Sequence, residues 1–410
     1  MAFWLQAVVD PGNLLPFVGF ALGGVALGTA SGLVPGLHAN NFALLLAATA
    51  ASIPADPLFV GVAMLTAGVV HTFLDIVPML TLGVPDAAMA ISALPGHRLV
   101  LEGRGREALR LSAVGSGLAV LIALPLALPI TWLMTHAYPT IRANLWIVLG
   151  GVVCLLVVTE SSTEAIVGGL VSFGLAAALG WVTLDVTPKA PLDAGSMLTP
   201  LLTGLFGAPI LLDAMGGGGV PPQADAKLTM GRRDLGLTAG AGSVAGAIVG
   251  YLPGISAAIA SVLALPAVPN RDPDRGFIVA TSGANTANTV FALFALVALG
   301  TPRTGVMVAV DSTGVPLDVP VLLAAVVVGA ACGTLLVVAL GDRYLLTVGR
   351  ADYTTVSLVV LGFLVCLAFA FTGLLGVVVF AASTVVGLVP PRFGARRVHL
   401  MGVLIGPLMI

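Results

Sequence analysis

Long runs of apolar residues recur along nearly the whole chain, and short polar segments separate them. Most runs approach the roughly 20 residues that a helix needs to cross a hydrocarbon layer about 30 Å thick. The alternating stretches of about ten residues that build membrane β-barrels do not occur, so helices must satisfy the backbone in lipid. The pattern therefore predicts membrane-spanning helices. The clearest candidates cover residues 15–34, 58–82, 109–134, 145–158, 166–182, 235–252, 321–340 and 356–371.

The composition supports a membrane protein. Hydrophobic residues make up 58% of the chain and charged residues only 9%, against about 25% charged in ordinary soluble domains. The net charge of −2 and the lack of a basic stripe argue against a nucleic-acid partner. The three cysteines, Cys154, Cys332 and Cys366, stand singly without metal-ligand spacing, and we expect them to be small buried hydrophobes. We predict an all-α integral protein of the cytoplasmic membrane, surrounded by the lipid bilayer, with no metal or other cofactor.

An internal repeat divides the chain. The segment GTASGLVPGLHAN, from Gly28, aligns with GAIVGYLPGISAA, from Gly246, at a spacing of 218 residues. Downstream, TLGVPDAAMA aligns with ALGTPRTGVM at a spacing of 217. Two matches at nearly one spacing predict two related halves. We place the first membrane repeat at residues 1–214, a cytoplasmic linker at 215–235 and the second repeat at 236–410.

The charges predict opposite orientations for the two halves. Acidic residues without nearby lysine, at Asp56 and in 311–318, are expected outside the membrane. The positive-inside rule places the basic loops in the cytoplasm. The first half then enters from outside and the second from inside, an inverted repeat common among secondary transporters, with about 10–12 membrane segments. These basic loops are 97–110, 227–233, 271–275, 343–350 and 392–397.

Each half contains a Pro-Gly pair that predicts a helix break. Pro removes a backbone donor and Gly tolerates unusual conformations. The apolar segments that follow, 41–53 and 256–268, are too short to cross a bilayer straight. We therefore expect a re-entrant hairpin or broken helix in each half, at Pro35–Gly36 and at Pro253–Gly254.

A second pair of breaks is expected where long apolar runs end, at Gly83–Pro85 and Gly300–Pro302. Symmetric breaks in corresponding positions of two halves indicate a central binding site. Polar side chains cluster beside these breaks, either as ligands of a solute or as interhelical hydrogen bonds that hold the bundle together. The candidate substrate-binding residues are Pro35, Gly36, His38, Asn40, Asn41, Gly83, Pro85, Pro253, Gly254, Ser256, Asn285, Asn288, Thr301 and Arg303.

Other residues are candidates for ion or proton coupling. His71 and Asp75 are four residues apart and share a helix face, as a proton relay or a structural ion pair would require. Hydroxyl and amide oxygens would also suit a hard cation such as sodium. Asp86 and Arg303 occupy equivalent repeat positions, where they could neutralise each other, or Arg303 could bind a substrate carboxylate. The candidate coupling residues are His71, Asp75, Asp86, Thr281 and Ser282.

The segments GLVPGLHANN, FLDIVPMLTLGVPDAAMAISALPGHRLVLEGRGREAL and RRVHLMGVLIGP resemble the TctA family, the large permease of tripartite tricarboxylate transporters. The similarity runs from residue 20 to 407 and is greatest to the archaeal branch, whose substrate is unassigned. It implies an ion-driven carboxylate transporter that works with a solute-binding protein and a small membrane subunit. The chain is shorter than the bacterial permeases, and His38, Asn40 and Asn41 differ from the residues typical there. Tricarboxylate specificity and the partner subunits therefore stay open.

We predict a secondary active transporter, a permease for a small organic anion such as a carboxylate, driven by sodium or proton symport. An intramembrane enzyme acting on a lipid, and a membrane scaffold that transports nothing, are the alternatives. No HExxH, GxSxG or phosphate-loop motif is present in the sequence, so neither hydrolysis nor primary pumping is supported. The oligomeric state is open, with a homodimer as one alternative.

Overall fold

The secondary structure is helical throughout the part of the chain that the computed structural model describes, and no strand occurs in it. The all-α prediction is therefore confirmed. The described residues are 11–35, 37, 39–50, 53–82, 93–191, 197–215, 221–252, 257–264, 268, 273–348 and 352–409.

The helices follow the order of the apolar runs. Those before the predicted linker are α1 (Pro11–Gly32), α2 (Ala39–Ala50), α3 (Pro57–Leu74), α4 (Ile76–Leu82), α5 (Ala93–Leu101), α6 (Gly105–Ala143), α7 (Leu145–Val158), α8 (Thr163–Thr183), α9 (Leu198–Leu202) and α10 (Ala208–Ala214). Those after it are α11 (Arg232–Tyr251), α12 (Ala257–Ala264), α13 (Pro273–Leu299), α14 (Gly305–Ser312), α15 (Val319–Val348), α16 (Tyr353–Gly387), α17 (Val389–Arg392) and α18 (Gly402–Met409).

Seven segments among the described residues are long and apolar enough to cross a membrane. Three shorter apolar helical segments accompany them, at 145–158, 198–213 and 397–409. The prediction of a multi-pass membrane protein is thus confirmed. The seven segments are 12–32, 57–82, 105–143, 163–183, 273–299, 319–347 and 354–392.

The predicted helix breaks coincide with the ends of helices. Helix α1 ends three residues before Pro35, and α2 begins soon after it. Helix α11 ends before the second Pro-Gly pair, and the short α12 follows that pair. Helix α13 ends at Leu299, where Gly300 takes a left-handed backbone with φ of 62°, a conformation that Gly adopts without strain. These three breaks are confirmed, whereas Gly83–Pro85 lies outside the described residues.

The structure contains one helix break that the apolar pattern does not predict. The run 58–82 was expected to form one helix, yet α3 ends at Leu74 and α4 begins at Ile76. Pro78 explains the interruption, because it has no N–H to donate to the carbonyl of Leu74. The break places Asp75 at a helix junction within a buried part of the bundle.

Close glycine packing recurs in both halves. In each half three glycines, spaced four residues apart, face the backbone of a neighbouring helix. A Cβ added at Gly28 would lie 2.4 Å from the carbonyl oxygen of Ala67, and one at Gly246 would lie 2.6 Å from that of Ala284. The glycines are Gly24, Gly28 and Gly32 of α1, facing α3, and Gly242, Gly246 and Gly250 of α11, facing α13. The same packing therefore recurs at the spacing of the sequence repeat, while the boundaries of the halves and their opposite orientation stay predictions.

The cysteines are not buried as expected. Cys154 and Cys366 are exposed and Cys332 is half-buried. The first two lie on α7 and α16, whose sequences are strongly apolar. The prediction of burial was wrong because a membrane helix presents apolar side chains to lipid as well as to the protein interior.

Candidate functional site

A buried set of polar side chains lies where α1, α3 and α13 meet. The side-chain amide Nδ2 of Asn285 donates a hydrogen bond to Oδ2 of Asp75 over 2.7 Å. One turn earlier on α3, Nδ1 of His71 lies 2.9 Å from Oγ of Ser31 on α1. All four residues are buried. We call Ser31, His71, Asp75 and Asn285 the central cluster.

The contact between His71 and Ser31 fits two hydrogen-bond directions. The Ser31 hydroxyl also lies 3.2 Å from the carbonyl oxygen of Gly28. Because a hydroxyl has one proton, Nδ1 of His71 donates when Ser31 donates to Gly28, and accepts when Ser31 donates to His71. The contact therefore orients the imidazole in either tautomer.

Two further contacts surround the central cluster. Thr72 donates to Thr286 Oγ1 at 3.3 Å, which adds a second polar link between α3 and α13. The ring of Phe42, near the start of α2, stacks on His71 with 5.9 Å between centroids and 9° between planes. The short helix that follows the first break therefore reaches the cluster, as a broken-helix site requires.

Local sequence explains why α1 can approach so closely. A Cβ added at Gly32 would lie 2.7 Å from Cβ of Leu74 and 3.1 Å from the carbonyl oxygen of His71. A larger residue at this position would push the end of α1 away from α3. Ser31, the neighbour of Gly32, is brought within hydrogen-bond distance of His71 by this packing.

The structure unites some predicted residues and separates others. His71 and Asp75, candidates for coupling, lie beside Asn285, a candidate for substrate binding. Thr281 instead donates to the carbonyl of Phe277 on its own helix at 2.9 Å.

Ser282, another coupling candidate, contacts α6 in the described part of the structure. Its Oγ lies 2.8 Å from Oγ of Ser112, so it joins α13 to α6. Asn288 is half-buried, and its backbone carbonyl packs near Gly250. The functional roles of these residues stay predictions.

Arg303 lies apart from the central cluster. Its Nη2 donates to the hydroxyl of Tyr138 and to Oγ1 of Thr301 at 3.0 Å. The guanidinium carbon lies 5.1 Å from the centre of the Tyr138 ring. Asn285 is separated from the end of α13 at Leu299 by 14 residues, a rise of about 21 Å.

The predicted site residues near the helix breaks are described only in part. Pro35 is described and buried, after the end of α1. Asn40 and Asn41 lie in α2, but their side chains are not among the described groups. The proposed pairing of Asp86 with Arg303 is therefore untested. The candidates outside the described residues are Gly36, His38, Gly83, Pro85, Asp86, Pro253, Gly254 and Ser256.

Sequence reasoning missed residues that complete the sites. Ser31 lies in the quoted repeat GTASG, and Thr286 lies in the polar run TSGANTANT. Both could have been found from those motifs. Phe42 and Tyr138 carry no local signal, because aromatic side chains in apolar runs are ordinary packing residues.

The central cluster offers few metal ligands. No group of three or more His, Cys, Asp or Glu side chains occurs within the described ranges. The carboxylate, hydroxyl and amide groups are instead suited to a proton, to a hard cation or to a polar solute.

A cleft lies beyond α2, at the end opposite Phe42. Its volume is about 410 Å³. Ala47 and Ala50 line one side, and Ser312 and Thr313, at the end of α14, line the other. From Phe42 to Ala50 the helix rises about 12 Å. Helix α2 thus runs from the central cluster to this cleft.

Together these features define a multi-pass helical membrane protein with a buried polar cluster at interrupted helices. The chain belongs to the tripartite tricarboxylate transporter TctA family, whose model matches residues 18–402. Proteins of this family are membrane permeases that work with a solute-binding protein and a small subunit. The resemblance predicted from the sequence is confirmed.

A relative shows similarity over nearly the whole chain. An uncharacterized protein of Methanocaldococcus jannaschii is 26% identical over 397 residues, which cover 94% of this chain and 96% of that protein. No solved structure matches the chain.

Proposed function

We propose that this protein is a secondary active transporter of the cytoplasmic membrane that moves a small organic anion with a sodium or proton gradient. The observation that carries the proposal is the 2.7 Å bond from Asn285 to Asp75. It joins α3 to α13 across 210 residues of sequence, at a depth where both side chains are buried.

The chemistry of the central cluster supports coupling. Ionisable residues are costly inside a membrane and generally belong to transport or proton pathways. Asp75 is at the junction that Pro78 creates, and its backbone N–H donates to the carbonyl of His71 at 2.9 Å. A proton or cation that binds Asp75 would alter the acceptor available to Asn285. In this mechanism, a proton or cation bound to Asp75 controls the hydrogen bond between α3 and α13.

The arrangement of helices supports alternating access. Side chains of α1, α2, α3 and α13 all contact the central cluster. A solute that bound there would therefore contact several helices at once. Such multi-helix contact is how binding energy can favour one arrangement of a broken-helix site over another.

The proposed roles follow from chemical type. Asp75 binds the coupling ion, His71 holds or relays a proton, and Asn285 supplies the amide that responds to both. The solute is a carboxylate. A solute-binding protein and a small membrane subunit are expected as partners, as in other members of the family.

Reconstituted vesicles provide the test. Purified protein in liposomes is given radiolabelled citrate outside, with an inward sodium gradient or an inward proton gradient. We expect accumulation that one gradient drives and that a matching ionophore abolishes. A panel of mono-, di- and tricarboxylates, with the binding protein and small subunit added, completes the assay. If no carboxylate accumulates under any gradient with partners present, the proposed function is wrong.

A further inference from the structure

Arg303 differs from the other arginines of the described chain that are at least partly buried. Each of those others forms an ion pair with an Asp or Glu side chain, and Arg303 forms none with a described residue. These paired arginines are Arg104, Arg106, Arg110, Arg275, Arg396 and Arg397. A guanidinium remains charged at any physiological pH. Arg303 therefore holds a positive charge without a fixed negative partner in this part of the structure.

The contacts of Arg303 orient the guanidinium without neutralising it. The Tyr138 hydroxyl and the Thr301 hydroxyl both accept from Nη2. The ring of Tyr138 lies beneath the guanidinium carbon at 5.1 Å, a cation–π arrangement. The Nε atom is buried and has no hydrogen-bond partner among the described residues. An arginine held in this way has donor capacity left for a planar anion.

Arg303 lies close in sequence to a residue that packs on α3 one turn before the central cluster. Val306, three residues later, packs so tightly on α3 that a Cβ added at Gly68 would lie 2.6 Å from its Cγ2. Gly68 is one turn before His71 on that helix. On the predicted orientation, Arg303 lies on the outer side of the central cluster. No described contact joins it to that cluster.

We infer that Arg303, held by Tyr138 and Thr301, forms an outer anion site that receives a carboxylate-bearing solute before it reaches the central cluster. The direction in which the solute travels rests on the proposed function, whereas the binding of a carboxylate to Arg303 does not. The carboxylate supplies a negative charge that no described residue gives to Arg303, and it accepts hydrogen bonds from the guanidinium. The nearby hydroxyls can exchange partners as the solute arrives.

An anionic lipid headgroup is the other ligand whose chemistry would suit Arg303. A phosphate would satisfy the same guanidinium, since arginine binds carboxylate and phosphate alike. The ring of Tyr138 and the buried Nε favour a small planar group over a bulky headgroup. The test therefore includes both sources.

Equilibrium binding to the purified full-length protein separates these possibilities. Radiolabelled citrate is titrated onto protein in phosphatidylcholine nanodiscs, without any gradient. We expect saturable binding that weakens about 10- to 100-fold in Arg303→Gln. Arg303→Lys should fall between wild type and Arg303→Gln, because lysine keeps the charge but loses the planar fork. Arg142→Gln, an exposed arginine near the end of the same helix as Tyr138, is the matched control and should bind as wild type does.

Three outcomes would overturn the outer site. Citrate could fail to bind wild type saturably, it could bind Arg303→Gln as tightly as wild type, or phosphatidylglycerol in the nanodisc could abolish binding and so identify a lipid site. Asp75→Asn separates this inference from the proposed function. If Arg303-dependent binding survives in Asp75→Asn while no variant accumulates solute, the outer site stands and the transport proposal fails. If wild type and Arg303→Gln accumulate solute equally, the transport proposal stands and the outer site fails.

Discussion

Two buried clusters in this protein each contain a histidine and a carboxylate, but their partners differ. In the central cluster Asp75 accepts from the neutral amide of Asn285. In the second cluster, at the corner between α7 and α8, Glu160 accepts from Nε of Arg396 at 2.9 Å and from Nε2 of His399 at 2.8 Å. We call Glu160, Arg396 and His399 the C-terminal cluster.

The difference indicates different tasks. Arg396 adds the Coulomb attraction of a full positive charge to its hydrogen bond with Glu160, and the neutral amide of Asn285 supplies no such attraction to Asp75. Arg396 also donates to the carbonyl of Leu156 at 2.7 Å, so the C-terminal cluster fixes the segment that leads into α18. An amide on a carboxylate is easier to exchange for an ion or a solute. We therefore expect a structural role for the C-terminal cluster, and the transport role of the central cluster stays a proposal.

The largest expected effect is on stability, from Glu160→Ala. Removal of one partner of a buried ion pair leaves the other charge unpaired and typically costs about 3–5 kcal/mol. The side chain of Glu160 is only 2% exposed. We expect a large drop in the thermal midpoint of the detergent-solubilised protein. Asp225→Ala is the matched control, since Asp225 pairs with Arg106 but is 96% exposed, and such pairs contribute about 0–1 kcal/mol. Equal stability of the two variants would contradict the structural role.

The next effect is on transport, from Asn285→Ala. We expect gradient-driven uptake to fall more than about tenfold, because the amide bond to the buried carboxylate is lost. Uptake into vesicles with matched protein content measures it. Ser112→Ala is the control, because it removes a buried hydroxyl contact to the same helix, with Ser282. If both variants lose transport to the same degree, the central cluster has no special function.

A smaller effect is expected from pH. Burial tends to raise the pKa of Glu160, but hydrogen bonds from Arg396 and His399 outweigh it, and the pKa is lowered. The unfolded state then binds more protons than the folded state. The stability from Glu160 is fully present above about pH 4.3, the ordinary glutamate value, and is lost as pH falls through the lowered value. Thermal midpoints from pH 7 to pH 3 should fall less steeply in Glu160→Gln, and identical slopes would contradict this account.

Part of this fold could be predicted from local sequence. The breaks near Pro35 and Gly300 were predictable because Pro removes a donor and Gly permits positive φ. Pro78 also gave a local signal for the interruption before Ile76. The run 58–82 is continuously hydrophobic, however, and its pattern alone predicts an unbroken helix. Gly373 also interrupts a continuous apolar run, because its φ of 63° lies outside the helical region and kinks α16.

The tertiary contacts were beyond local reasoning. His71 and Asp75 share a face by their spacing, but nothing in the sequence indicated that Asn285 would meet Asp75 rather than Arg303. That pairing depends on how α13 packs on α3, which many distributed contacts determine. Arg303 was expected near the Asn and Thr run, yet its described partners are Tyr138 and Thr301.

Asp75→Asn provides the most direct test of the central claim, that Asp75 couples ion movement to solute movement. Asparagine keeps the size of the side chain but cannot carry a charge or a proton. Two rates are measured on the same vesicles: accumulation of labelled solute against its gradient, and exchange of labelled for unlabelled solute at equal concentrations. We expect accumulation to be lost while exchange continues. Accumulation at the wild-type level, with the same ion dependence, would contradict the assignment.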